Sequence, residues 1–361
     1  MIRLILVSGG NSVEHEISLL TLKQVDKAIN KDKYDVKSVY LSKNNKFYLI
    51  KNKNNKTLND YKKYPLELIK ENNKQYFKYK RKKIYFDYLF LLVHGKGVED
   101  GTFHSYLDFL DIPYISNNVV SSNIGMDKYL TKELVKDKVK TLDHILVNLN
   151  DYNYEELIDK LDNYPYIFKA NSLGSSIGVI KVNNEYEVMD AINTIKVYDD
   201  YLLIEKCLDN FKEYNLSLFK EDFEFITSSI EEINYKKVLS YNDKYKNSLE
   251  NLNREINPKI SDELKELIIN NSKYIYNKLK CDFLVRIDYL YNEDENTLYF
   301  NEINMIPGSL AFYLYEDKGI LFDELLDKLI NVGKRNRYLK ISKVNVLGDY
   351  VLESLVGNIK K

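Results

Sequence analysis

Tryptophan is absent from this 361-residue chain, cysteine occurs only twice, and the formal net charge is −1. So small a charge gives no electrostatic case for a nucleic-acid or anionic-membrane partner, because Asp and Glu are interleaved with the abundant Lys and the charge runs read as solvated faces. Cys207 and Cys281 stand far apart without metal-ligand spacing, which predicts two buried thiols in a reducing compartment. No apolar stretch approaches the roughly 18 residues of a membrane span. The opening "MIRLILVSGG" is too short for a secretory h-region and runs straight into a turn, so the expectation is a cytoplasmic protein. A GxxxxGK motif followed by Ser or Thr is missing, which excludes a P-loop NTPase. No GxGxxG follows the first strand, which argues against a nicotinamide-dependent oxidoreductase; "GKGVEDG" (95–101) only loosely resembles that fingerprint and carries one residue too many. Internal repeats, low-complexity linkers and heptad runs are also lacking. Tyrosine, by contrast, occurs 32 times, which reads as compositional drift rather than chemistry.

What is present has α/β rhythm. The length calls for two or three domains. "IRLILVSGG", "KYDVKSVYLS" and "FDYLFLLVHG" alternate with the amphipathic "SLLTLKQVDKAIN", the pattern of a parallel, doubly wound sheet whose ligand end lies at the Gly9, Gly10 and Gly95 turns. A Lys- and Asn-rich insertion, about 45–85, is expected to form a hairpin and a short helix without chemistry. The composition changes near residue 125. "GMDKYLTKELVKDKV" reads as a helix, "YPYIFKANSLGSSIGVIKV" as two strands around a Gly/Ser loop, and "YLLIEKCL" as a buried strand. The expected units are 1–124, 125–212 and 213–361.

The third unit ends in "CDFLVRIDYLYNEDENTLYFNEIN", a hairpin turning at "NEDENT". Side chains two apart on a strand share a face. Arg286 and Asp288 on the first strand therefore come opposite Glu302 and Asn304 on the second. One reading is a surface salt-bridge ladder. The flanking "FLV", "LYF" and "MIPG" instead argue an enclosed face, where two carboxylates need a counter-charge. Mixed carboxylate and amide oxygens suit Mg²⁺, which usually keeps few protein ligands beside substrate phosphates. "LGSSIG" (173–178), with Lys169 just before it and Lys128 in the preceding helix, offers backbone N–H groups, hydroxyls and ammonium groups to those phosphates.

"GGNSVEHEISL", "HGKGVEDGT", "MDKYLTKEL", "KANSLGSSIGVIKV", "NDKY", "RID" and "NEINMIPGS" together resemble, in order and approximate spacing, the D-alanine–D-alanine ligases of the ATP-grasp superfamily. The likeness runs from the first strand to about residue 310. It implies an ATP-grasp fold of three α/β domains, the first Rossmann-like (pre-ATP-grasp), with ATP and two Mg²⁺ ions, or Mn²⁺, between the second and third. It further implies that Lys128, Lys169, Ser175 and Ser176 meet ATP phosphates, that Glu205, Lys206 and Leu208 line the adenine, and that Glu213 takes the ribose. A glycine often precedes that last glutamate in the family; here "DNFKEYN" lacks it. Asp288, Glu302 and Asn304 match the metal ligands, and Arg286 the arginine that steadies the transferring phosphate. Glu14 would hold the first amino acid's ammonium, with Ser175 and Tyr245 completing a triad, while His94, in a loop with Glu99, would approach its carboxylate.

The implied reaction transfers the γ-phosphoryl of ATP to one D-alanine and lets the amine of a second displace phosphate, giving D-alanyl-D-alanine for peptidoglycan precursor synthesis. Charge neutralisation and alignment are what such a transfer needs. "SYNDKYKN" is the expected lid, bringing Lys244 to the γ-phosphate and keeping water from the acylphosphate. A homodimer is implied too. One segment departs from the family: after Pro307 and Gly308 the common ligases carry a Thr/Ser-rich stretch for the second substrate's carboxylate, whereas this chain reads "SLAFYLYEDKG", with Ser309 as the remaining hydroxyl candidate and aromatics at Phe312 and Tyr313. The alternatives are a related ligase with a different second amino or hydroxy acid, and a nucleotide-binding protein without ligase activity. Tyr245, where depsipeptide-forming relatives carry histidine, favours an amine acceptor.

Overall fold

The structure is a computed structural model, and it describes residues 1–51, 64–174, 178–234 and 253–341. Three sheets organise it. The first contains β1 (Ile2–Gly9), β2 (Tyr34–Leu41), β3 (Phe47–Ile50), β4 (Pro65–Glu71), β5 (Lys74–Tyr79), β6 (Lys82–Tyr85), β7 (Tyr88–Leu91) and β8 (Tyr114–Ile115), in the order β6-β5-β4-β3-β2-β1-β7-β8. Helix α1 (His15–Ala28) follows β1, and α2 (Thr102–Phe109) precedes β8. Strands β2, β1, β7 and β8 are parallel neighbours, as the alternating pattern predicts. β1 is buried from Leu4 to Gly9, as a central parallel strand covered on both faces must be. The 45–85 insertion does more than form a hairpin: β3 to β6 are an antiparallel meander that extends this sheet. The short helix expected there has no place among its described residues.

Two helices lead to the second sheet. The run expected as one helix from Gly125 breaks at Asp127, whose carboxylate accepts from the Leu130 N–H at 2.8 Å, so that α3 (Val119–Met126) stops and α4 (Lys128–Val135) starts afresh. The sheet comprises β9 (His144–Asn148), β10 (Tyr166–Ala170), β11 (Val179–Val182) and β12 (Tyr201–Lys206), with α5 (Tyr154–Asp159) and α6 (Val188–Lys196) between them, in the antiparallel order β11-β10-β12-β9. Tyr166, Phe168, Ala170, Leu202 and Ile204 face a core closed by α6. Alternation then sends Lys169 and Glu205 to the opposite face.

The third sheet, in the order β15-β14-β13-β16-β17, contains β13 (Phe211–Glu221), β14 (Glu224–Asn234), β15 (Asn253–Ile256), β16 (Val285–Asn292) and β17 (Thr297–Asn304). Helix α7 (Asp262–Lys278) is N-capped by Ser261, and its Ile268 and Ile275 pack on Tyr214, Leu216, Ile287 and Phe300. Helices α8 (Phe312–Glu316) and α9 (Phe322–Ile341) complete the described chain. Leu325 and Leu329 of α9 share a core with Leu4, Leu6 and Phe90 of the first sheet. Asn117 fastens the two regions: its amide donates to the carbonyls of Leu284 and Met305, both at 3.0 Å, and accepts from the Phe283 N–H at 3.0 Å. The hairpin ends are thereby fixed against the first unit.

Candidate functional site

β16 and β17 pair with Arg286 opposite Asn304 and Asp288 opposite Glu302, as folding the hairpin about its turn predicts. The ladder slips after Asp288, so that Tyr289 faces Phe300 and Asn301 is the extra residue. That bulge solves a conflict. Phe300 packs in the core, yet Glu302, two positions on, must face the other way with Asp288. Arg286 Nε and Nη2 donate to the two Asp288 oxygens at 2.7 Å each, and the Asn304 amide donates to Asp288 Oδ2 at 2.9 Å. Burial opposes the guanidinium charge, but the Asp288 pairing outweighs it and holds Arg286 well above its ordinary pKa.

Lysines from α4 and from the second sheet approach the same strand. Lys128 Nζ lies 3.5 Å from Glu302 and donates to the Leu173 carbonyl. One turn further along α4, the fully buried Lys132 lies 2.7 Å from Glu205 and donates to the Phe300 carbonyl at 3.1 Å. Lys169 pairs with the other Glu205 oxygen and donates to Asn301 Oδ1 at 3.1 Å. Burial by itself would raise the Glu205 pKa, but the two ammonium groups bring it down to about 2. Lys132 and Asn301 are absent from the sequence reading. Lys132 had a signal, since it stands four residues after Lys128 on the same helix face; Asn301 had none beyond its place beside Glu302.

The first unit supplies the third wall. A cavity of about 510 Å³ opens between the loop before α1, the Gly95–Lys96 turn and Leu173, with Glu14 in its lining. Gly95 is left-handed (φ +78°), and a Cβ there would come within 2.8 Å of Glu14 Oε2, so the turn admits only glycine beside that carboxylate. Glu99 accepts from the N–H groups of Gly95 and Ile306, both at 2.8 Å. Burial, aided by the nearby Glu14 charge, pushes it up to about 7. His94 is buried with Nε2 2.9 Å from Thr21 Oγ1, and burial brings its pKa down to about 4. The same Thr21 hydroxyl accepts from the Ser309 N–H at 3.1 Å, while Ser309 Oγ donates to Gln24. Ser309 thus spends both donors on α1. Ser309, Leu310 and Ala311 are all left-handed, with φ of 53°, 55° and 50°, a run that costs roughly 1–2 kcal/mol per residue and that these contacts hold in place.

The aromatics of the departing segment part company. Phe312 stacks on Phe322, with ring centroids 4.3 Å apart. The Tyr313 hydroxyl donates to Glu231 at 3.0 Å, an oxygen also held by Asn215 at 3.2 Å. Asn215 is the register partner of Asp288, so Tyr313 reaches the layer around the Arg286–Asp288 pair. Glu213 lies two residues before Asn215 on that face of β13, and Lys206 and Leu208, both half-buried, lie at and beyond the end of β12. Ser175, Ser176, Lys244 and Tyr245 fall outside the described residues, as does the expected lid.

Asp288, Glu302 and Asn304 present hard oxygen donors on one face and fit a divalent cation, with the Asn304 carbonyl oxygen left over once its amide nitrogen serves Asp288. Among the described residues no group of three or more His, Cys, Asp or Glu side chains is arranged for a metal, so this amide is needed to complete the set. A separate cavity of about 610 Å³ between β8, α3 and the end of α9, lined by Tyr114, Val119, Tyr276 and Arg335, includes none of these residues. No helix among the described residues is long and apolar enough to cross a membrane.

The chain is similar to known proteins over nearly its whole length. Residues 3–117 match the family model described as D-ala D-ala ligase N-terminus, and residues 136–331 the one described as D-ala D-ala ligase C-terminus. A D-alanine–D-alanine ligase of Thermosipho melanesiensis is 34% identical over 359 residues, covering 97% of this chain and 98% of the relative. The crystal structure of the D-alanine–D-alanine ligase from Helicobacter pylori superposes with a TM-score of 0.71 at 32% identity, over 92% of this chain and 98% of that one. The Bacillus anthracis ligase complexed with ATP superposes with a TM-score of 0.70 at 26% identity, over 94% of this chain and 100% of that one.

Proposed function

The chain belongs to the D-alanine–D-alanine ligase family, and on that premise we propose that it joins two D-alanine molecules into D-alanyl-D-alanine, with ATP as the phosphoryl donor, for peptidoglycan precursor synthesis. The observation that carries the reading is the matched register of Arg286, Asp288, Glu302 and Asn304 facing Lys128 and Lys169. A nucleotide-binding protein without ligase activity has no need of that whole set. In this reading Lys128 and Lys169 hold phosphates, with Ser175 and Ser176 beside them. Lys206 and Leu208 follow Glu205 along the adenine, and Glu213 takes the ribose. Asp288, Glu302 and Asn304 hold Mg²⁺, which neutralises phosphate charge and aligns the transferring group.

Glu14 binds the ammonium of the first D-alanine, with Ser175 and Tyr245, and His94 lies toward its carboxylate. Arg286 stabilises the phosphoryl group as it moves to that carboxylate and the tetrahedral centre that forms when the second amine attacks. Lys244 closes over the γ-phosphate. Ser309 has spent its donors on α1, so the second carboxylate relies on backbone N–H groups and the region of Tyr313. We further propose a cytoplasmic homodimer. Phosphate release measured with ATP, Mg²⁺ and D-alanine, against a panel of other D-amino and D-hydroxy acids as acceptors, tests the reading. Release that depends on D-alanine supports it, and release that ignores D-alanine overturns it.

A further inference from the structure

Two lysines hold one buried carboxylate here, and only one of them can leave. Lys132 is fully enclosed and anchored a second time by the Phe300 carbonyl at 3.1 Å. Lys169 is partly exposed, and its second partner is a side-chain amide on the bulge of the metal strand. We propose that Lys132 is a positioning residue that remains as the permanent counter-ion of Glu205, so that Lys169 can be released to the nucleotide phosphates without leaving a buried carboxylate unpaired. The inference rests on the ligase reading above and extends it to a residue outside the nucleotide contacts.

Glu205 is 1% exposed. Removing one partner of a buried ion pair leaves an uncompensated charge, and that penalty is among the largest a single side chain incurs. If Glu205 had Lys169 alone, nucleotide binding would have to strand the carboxylate or do without the lysine. With Lys132 present, Glu205 keeps an ion pair at 2.7 Å whichever way Lys169 turns. Geometry reinforces the assignment. Lys128 and Lys132, four apart on α4, meet Glu302 and the Phe300 carbonyl, two apart on β17, so the helix that carries the permanent counter-ion also registers the second sheet against the metal strand.

The test is calorimetric titration of the full-length protein with ADP in Mg²⁺, with adenosine affinity measured by competition, for the wild type, Lys132→Met and Lys132→Arg. In Lys132→Met, Glu205 claims Lys169, so ADP affinity is expected to fall about 10- to 100-fold while adenosine affinity stays within about twofold. Lys132→Arg keeps a fixed positive charge beside Glu205, and its ADP affinity is expected to stay within about threefold of wild type. Equal ADP affinity in Lys132→Met and wild type overturns the proposal, and so does a parallel loss of ADP and adenosine. If Lys132→Met does not fold, Lys132→Gln, which keeps a donor but no charge, is judged by the same two criteria. A wild type that binds no ADP counts against the ligase reading instead.

Discussion

On the side of the cleft proposed for the nucleotide, Lys132 and Lys169 share the Glu205 carboxylate, which they keep ionised with a pKa of about 2. On the side proposed for the amino acids, burial brings His94 down to about 4 and raises Glu99 to about 7, so near pH 7 the histidine is neutral and the glutamate about half ionised. One wall keeps its charge by pairing it; the other weakens charge by burial and fixes its groups through backbone N–H bonds and the Thr21 hydroxyl. The difference suits the proposed ligands. Triphosphate needs spare positive charge that can be redirected, whereas a small zwitterion is better sorted by a rigid pocket in which few groups compete for its two charges.

The comparison breaks most sharply at β17, the strand proposed to hold the metal. Glu302→Gln keeps the side chain's shape but removes the charge of a proposed ligand, and ligation is expected to fall about 100- to 1,000-fold in steady-state phosphate release, with the melting temperature nearly unchanged. Near-normal turnover in Mg²⁺ would remove Glu302 from the metal set. On the other wall, Thr21→Val takes away the hydroxyl shared by His94 and the Ser309 N–H. Leaving those two groups unmet is expected to cost roughly 1–3 kcal/mol. That should appear as about a tenfold rise in the Michaelis constants for D-alanine, with that for ATP unmoved. An equal rise for ATP would erase the division between the walls.

Tyr313→Phe should act within the amino-acid side. Its hydroxyl holds Glu231 near the Arg286–Asp288 pair, so a rise of roughly three- to tenfold is expected in the D-alanine constant of the second site, with the first within error. In the unmodified enzyme, D-alanine should already saturate the first site at lower concentration than the second. Equal, low constants at both sites would show that the departing segment has not altered acceptor binding. Glu99→Gln should act on stability and not on either substrate constant. Glu99 has a pKa of about 7 when folded against an ordinary 4.5, so between those values the folded chain holds more of its proton than the unfolded chain does. Its contribution is therefore full below about pH 4.5 and is lost as pH rises through about 7. The variant should remove at least about 1 kcal/mol of that slope in denaturant melts at pH 5 and pH 7.5. Parallel pH profiles would show that Glu99 is not the group responsible.

The residues facing each other across β16 and β17 were legible because period-two alternation and a polar turn suffice to pair Arg286 with Asn304 and Asp288 with Glu302. Lys128 and Lys169 could be named beside a Gly/Ser loop for similar local reasons. The parallel core of the first sheet was equally readable from its apolar runs. What escaped depends on partners distant in sequence. Lys132 is unremarkable until Glu205 and Phe300 are folded against it. Ser309 looked free for substrate until α1 supplied Thr21 and Gln24. The break at Asp127 was a local capping signal inside a run that otherwise reads as one helix. The meander of β3 to β6 was hidden by a composition so rich in Lys and Asn that strand periodicity is faint.

The extra residue at Asn301 is a spare length of chain rather than a fixed part of the strand's pattern. Substituting Asn301 forfeits one contact with Lys169. Deleting it would forfeit the same contact and leave Ile303 two positions from Phe300, so plain alternation would keep both in the core and Glu302 beside Asp288 on the other face. A reading-frame-preserving loss of three nucleotides at this point would therefore straighten the ladder without exchanging inside for outside.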